Sequence, residues 1–173
     1  ENGRIANLDP ADPVHVSYGK PIGKEPTGIS HPDLLKVRAD EQHSGTIVDG
    51  ISRIGTMTGG KAARWTDEEM PGTFLKKAVE FIDAPREKPF FLFYATHENH
   101  VPRLPHPRFR GSSGLGLRGD AIVEMDWGIG VLLETLERRN LLSRTLVIFT
   151  SDNGPALFDG YHDEAIEKNG AHR

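Results

Sequence analysis

Two apolar stretches decide how this chain reads: Pro89-Phe90-Phe91-Leu92-Phe93-Tyr94-Ala95 and Thr145-Leu146-Val147-Ile148-Phe149-Thr150. Each is aromatic or β-branched, short, and ended by a polar run, so each is expected to be a buried strand rather than a helix. A strand apolar on both sides suits a mostly parallel sheet flanked by helices on both faces. Helical periodicity precedes each stretch. Thr66-Asp67-Glu68-Glu69 fits a capping box, with Thr66 as N-cap and Glu69 reaching back. Phe74, Ala78, Phe81 and Ile82 then share a face until Pro85. Asp120 to Arg139 carries a stripe of Ile122, Met125, Ile129, Leu132 and Leu136, and Asn140 can end it. The order helix, strand, long loop, helix, strand is the grammar of an α/β fold with a parallel sheet.

Working outward, residues 1–64 show little periodicity and are punctuated by Pro and Gly. Val14 to Tyr18 alternates like a short strand, and Ser44 to Ile54 is mixed. We read 1–64 as a loop-rich segment and 65–173 as the central α/β part of the same domain. A loop-dominated stretch of that length is expected to line a site or wrap a larger body. Two strong strands do not make a self-sufficient sheet. The last helix candidate, Asp163 to Lys168, is short. The chain is therefore expected to be a piece of a larger α/β domain, incomplete at both ends.

Composition narrows the function. The 173 residues carry 21 Lys plus Arg against 25 Asp plus Glu, a net charge of −4. That balance argues against a nucleic-acid backbone binder. The longest apolar run, Phe90 to Ala95, is far short of the ~20 residues of a membrane span. No signal peptide is read at the N-terminus. There is no Cys, so disulfides, thiolate metal sites and Cys nucleophiles are excluded in this stretch. Gly and Pro number 19 and 12, spread along the chain, which points to long ordered loops.

In open parallel α/β sheets ligands bind beyond the carboxyl ends of the strands. Here those ends release Thr96-His97-Glu98-Asn99-His100-Val101-Pro102 and Ser151-Asp152-Asn153-Gly154. Asp152 and Asn153 offer one carboxylate and one amide oxygen, ligands suited to a hard cation such as Ca²⁺ or Mg²⁺. The same tripeptide with Gly154 is also ordinary turn chemistry. His97 and His100 are three apart, but Pro102 and Pro105 argue for loop. Either imidazole could donate a hydrogen bond or proton to an anionic substrate, or could be structural. Gly114-Leu115-Gly116-Leu117-Arg118-Gly119 matches G-x-G-x-x-G literally, yet it follows a Pro-rich basic loop instead of a strand, so a dinucleotide site is not expected. No G-x-S-x-G elbow or P-loop occurs. Trp65 and Trp127 read as packing residues.

Three blocks together resemble the sulfatase family, in particular arylsulfatases. They are Pro89 through His97 with His100-Val101-Pro102; Phe109-Arg110-Gly111 through Gly119-Asp120 with Glu124-Met125-Asp126; and Thr145 through Pro155. Residues 1–64, including Ser52-Arg53-Ile54-Gly55 and Gly59-Gly60-Lys61, resemble the loop region that bacterial arylsulfatases carry before these blocks. The resemblance implies an alkaline-phosphatase-like α/β fold and hydrolysis of sulfate esters. It implies a formylglycine nucleophile, made from Cys or Ser in C/S-x-P-x-R, beside a Ca²⁺ that binds the sulfate oxygens. It implies Asp152 and Asn153 as Ca²⁺ ligands, His100 as the residue that contacts sulfate and protonates the leaving oxygen, and His97 as a pocket residue. A sulfated small molecule or glycan is the implied substrate, and export to a periplasmic, extracellular or lysosome-like compartment the implied location.

The departures from the family pattern shape the expectation equally. No C/S-x-P-x-R is present, since Ser30-His31-Pro32 is not followed by the Arg that the pattern needs. The Asp pair, the Gly-Lys-x-His element and the later Lys of the family site are absent. The chain alone is therefore expected to be inactive and to bind Ca²⁺ weakly. A phosphate or phosphonate ester hydrolase of the same superfamily and a non-catalytic binding or structural module are the alternatives.

Overall fold

The computed structural model describes residues 3–37, 47–48, 51–52 and 56–154. The chain divides into two compact units, Glu1–Asp67 and Glu68–Arg173. The helix expected from Asp163 to Lys168 lies outside the described residues.

The first unit is held by two small antiparallel pairs. Strand β1 (His15–Ser17) pairs with β4 (Thr56–Thr58), with Val16 opposite Met57. Strands β2 (Ile47–Val48) and β3 (Ile51–Ser52) form the other pair. The alternation at Val14 to Tyr18 thus does mark a strand. Side chains stitch the loops to these strands. The Thr56 hydroxyl accepts from Ile22 N–H at 2.9 Å, and Asp12 accepts from Lys61 N–H at 2.9 Å. Arg64 meets Glu25 at 3.2 Å.

The second unit is built on two helices, α1 (Met70–Asp83) and α2 (Gly116–Arg138). Pro71 sits in the first turn of α1, where its missing N–H costs nothing. The expected Thr66 capping box does not form. A 3₁₀ turn over Asp67–Glu69 leads in, and the N-cap is Glu69, without a side-chain cap bond. Both helices present faces rotated from the expected ones. On α1 the buried residues are Pro71, Leu75, Ala78 and Ile82, while Phe74 and Phe81 stay partly exposed. On α2 they include Ala121, Gly128, Thr135 and Leu136, while Ile122 is 45% exposed. The reason is close helix packing. Ala121, Gly128 and Thr135 recur every seventh residue, and α1 packs along α2. A Cβ added at Gly128 would lie 3.9 Å from Leu75 Cδ2. Small residues admit that approach and bulky ones are turned aside.

The two apolar stretches depart most from expectation. Residues 89–95 and 145–150 form no strand pairing, and they are not buried. Phe91 is 87% exposed and Leu146 85%. Among the described residues the only sheets are the two antiparallel pairs, so these stretches have no neighbouring strand to satisfy their backbone. The 89–95 stretch nevertheless keeps a strand-like alternation. Phe90, Leu92, Tyr94 and Thr96 are half-buried, and Phe91, Phe93 and Ala95 are exposed. Phe90 packs edge-on against Phe81 of α1, with Arg86 stacked over both rings.

Candidate active site

The loop leaving residue 95 is seated on α2 by polar contacts. Thr96 Oγ1 lies 3.5 Å from Met125 Sδ, and His106 N–H donates to Glu124 Oε2 at 3.0 Å. Pro102 and Pro105 keep the segment out of helix, as their sequence positions require. It forms instead a turn in which His100 N–H donates to the His97 carbonyl at 3.1 Å. The structure therefore brings His97 and His100 together on one turn. The ring of His97 packs edge-on to Phe74, with centroids 6.5 Å apart. The Nδ1 of His100 lies 2.7 Å from the Val101 carbonyl. A carbonyl can only accept, so Nδ1 carries the proton and Nε2 is the atom that can take one up.

Three charged side chains near this turn are almost fully buried, and the sequence reading had not singled them out. Glu98 accepts from His97 N–H at 2.7 Å, and Arg103 Nε donates to the Asn99 carbonyl at 3.0 Å. Glu124 holds the far end of the loop. Burial pushes the Glu124 carboxyl up; the His106 N–H opposes that, and the Glu98 charge adds to it. Burial, then the charges of Glu98 and Glu124, push the Tyr94 phenol up to about 12. Charged residues are normally taken for surface. The available signal was position: Glu124 lies between Ala121 and Gly128 on the small-residue side of α2.

The glycine-rich loop before α2 is structural. Asp120 accepts from Gly111 N–H at 2.7 Å, Ser113 N–H at 3.0 Å and the Ser113 hydroxyl at 2.6 Å. Burial alone would raise the Asp120 pKa, but these three donors together hold it below the usual carboxylate value. A Cβ at Gly119 would come within 2.7 Å of Leu115 Cβ, which explains the last glycine of the motif without a nucleotide. Trp127 packs on Phe109 and carries Arg108 3.8 Å above its ring.

Asp152 and Asn153 lie in an exposed bend after residue 150. The Ser151 hydroxyl donates to the Asn153 carbonyl at 2.7 Å. Among the described residues no hydrogen bond or ion pair engages either of their side chains, so no such bond joins them to the histidine turn. No group of three or more His, Asp or Glu gathers as a metal site among the described residues.

The chain resembles known proteins along nearly its whole length. The chain is 49% identical over 172 residues to an N-acetylgalactosamine-6-O-sulfatase of Bacteroides thetaiotaomicron, covering 99% of this chain and 34% of that protein. It is 42% identical over 85 residues to the human N-acetylgalactosamine-6-sulfatase, covering 49% of this chain and 16% of that one. A solved structure from the study of glycosaminoglycan metabolism by Bacteroides thetaiotaomicron superposes with a TM-score of 0.87 at 49% identity. That match covers 99% of this chain and 36% of the other, so the chain spans about a third of the length of these two bacterial relatives. The sulfatase family model matches residues 31–173, and with this likeness along nearly its whole length the chain belongs to the sulfatase family.

Proposed function

We propose that this chain forms part of the active site of a sulfuric ester hydrolase acting on a sulfated amino sugar or glycan. The observation that carries the reading is the 49% identity along 99% of the chain to a protein named for the 6-O-sulfate of N-acetylgalactosamine. In this reading residues 89–95 and 145–150 are strands of the family's parallel sheet, and the loops after them open at one edge. The exposed side of 89–95 supports this, since Phe91 and Phe93 are apolar side chains left in water. His100 is the proton donor. With Nδ1–H held by the Val101 carbonyl, a proton on Nε2 passes to the departing alkoxide or phenoxide oxygen as the S–O bond breaks. His97, on the same turn, lines the pocket.

Asp152 and Asn153 fit a Ca²⁺ ion in part. Both offer hard oxygen donors, both are exposed, and neither side chain is committed to another bond among the described residues. They supply two ligands where Ca²⁺ takes about six to eight. When bound, the ion would offset negative charge on the sulfate oxygens. The formylglycine nucleophile has no source residue in this sequence, which holds no Cys and no C/S-x-P-x-R. Export to a periplasmic, extracellular or lysosome-like compartment belongs to the same proposal. Among the described residues no helix is long and apolar enough to cross a membrane.

The test is sulfate release by the whole polypeptide that carries this sequence, with N-acetylgalactosamine 6-sulfate, an aryl sulfate and an aryl phosphate as substrates. Sulfate release should exceed phosphate release, and His100→Ala should lower kcat by about 100-fold or more. Faster phosphate release would establish the phosphoesterase alternative instead. Failure to cleave any sulfate ester would sink the reading.

A further inference from the structure

The loop of residues 96–106 is held by buried charge. Glu98, Arg103 and Glu124 are 6%, 8% and 4% exposed, and each bonds to the backbone of this one loop. Glu98 takes the His97 N–H at its start, Arg103 gives to the Asn99 carbonyl in its middle, and Glu124 takes the His106 N–H at its end. Burying a charged group is costly unless hydrogen bonds compensate. Apolar side chains would seat an ordinary loop on a helix more cheaply. Within the span so held sits His100, itself exposed.

We propose that Glu124 is a positioning residue for His100: from α2 it anchors the end of the loop through the His106 N–H and so fixes where the imidazole stands. This rests on His100 acting as the proton donor. The anchoring bond needs an acceptor, not a charge. The bond asks only for an acceptor oxygen on the α2 side chain, so a neutral amide oxygen should serve. Glu98 and Arg103 bond within the turn, and Glu124 ties the loop to a separate rigid element.

The test compares Glu124→Gln with Glu124→Met in the whole polypeptide. Gln keeps an acceptor for His106. Met fills the space with only the weak acceptor of a thioether, and it avoids the cavity that Ala would leave. Two readouts are taken: hydrogen exchange of the amides in 97–106, and kcat and KM on an aryl sulfate. Glu124→Met should speed exchange in this loop by about tenfold and lower kcat by about 10- to 100-fold with KM little changed. Glu124→Gln should restore both to within about threefold of the parent. If Met leaves exchange and kcat as they were, or if Gln is as impaired as Met, the inference is overturned. Exchange does not depend on turnover. A parent protein that cleaves no sulfate ester but loosens in the Met variant would sink the sulfatase reading and uphold the anchor.

Discussion

Helices α1 and α2 and the stretches 89–95 and 145–150 belong to the same compact unit, and although the stretches are the more apolar, it is the helices that are packed. Leu75, Ala78 and Ile82 on α1, and Ala121, Thr135 and Leu136 on α2, are all under 9% exposed. Phe91, Phe93, Leu146 and Ile148 are 75% exposed or more. A helix satisfies its own backbone and needs one partner face. A strand needs neighbours for its backbone as well as cover for both sides. The helix pair finds its partner within these residues, and the strand-like stretches do not. The 89–95 stretch shows the halfway case, with its even-numbered side chains half-buried and the odd-numbered ones bare.

The sharpest way to break that comparison is to change a bare side chain in two contexts. In the 173-residue chain Phe91→Ala removes a ring that is already in water, and urea melts should move by no more than about 0.5 kcal/mol. In the whole polypeptide, where we propose that a sheet covers this face, the same change should cost about 3–5 kcal/mol. Equal small effects in both would mean that Phe91 is never buried and that 89–95 is no interior strand.

The comparison also explains what the sequence could and could not reveal. Helical periodicity found α1 and α2 because a 3.6-residue repeat is local information. It placed Ala78, Ile82 and Leu136 correctly in the core, but it set the centre of each face off to one side because it weighed hydrophobicity alone. Ile122, Phe74 and Phe81 are large and apolar, but close approach at Gly128 favours small residues and leaves the large ones at the margin. The apolar stretches were legible as strand-like from composition, whereas their pairing depends on residues distant in sequence. At the site, the prolines after His100 correctly signalled a loop. The burial of Glu98, Arg103 and Glu124 was not legible because it depends on backbone donors and acceptors that exist only once the loop has folded onto α2.

A second test concerns how the packed region is stapled. Asp120 gathers three hydrogen bonds from the loop before α2. Asp120→Ala removes the carboxylate acceptor of three part-buried hydrogen bonds and should cost about 2–3 kcal/mol in urea unfolding at pH 7. The pH dependence has a definite sign. The Asp120 pKa is lower folded than unfolded, so its contribution is complete above the unfolded value of about 3.9. It is lost as pH falls through the folded value. Asp120→Asn should therefore flatten the acid limb of the stability curve below about pH 4. An unchanged acid limb would show that the carboxylate charge does not hold this loop.

The smallest expected effect tests what exposure means in the two regions. Lys76 on α1 is as plainly in water as Phe91, with its side chain 76% exposed, and it reaches Glu80 only at 4.0 Å. Exposed i,i+4 pairs contribute about 0.3–0.5 kcal/mol, and Lys preceding Glu is the weaker orientation. Alanine also has the higher helix propensity. Lys76→Ala should then change stability by no more than about 0.5 kcal/mol in the 173-residue chain and in the whole polypeptide alike. Phe91→Ala should match it only in the first. If Lys76→Ala instead cost much more in the whole polypeptide, this face of α1 would also be covered there. The packed helix pair would then be as dependent on distant residues as the bare strands.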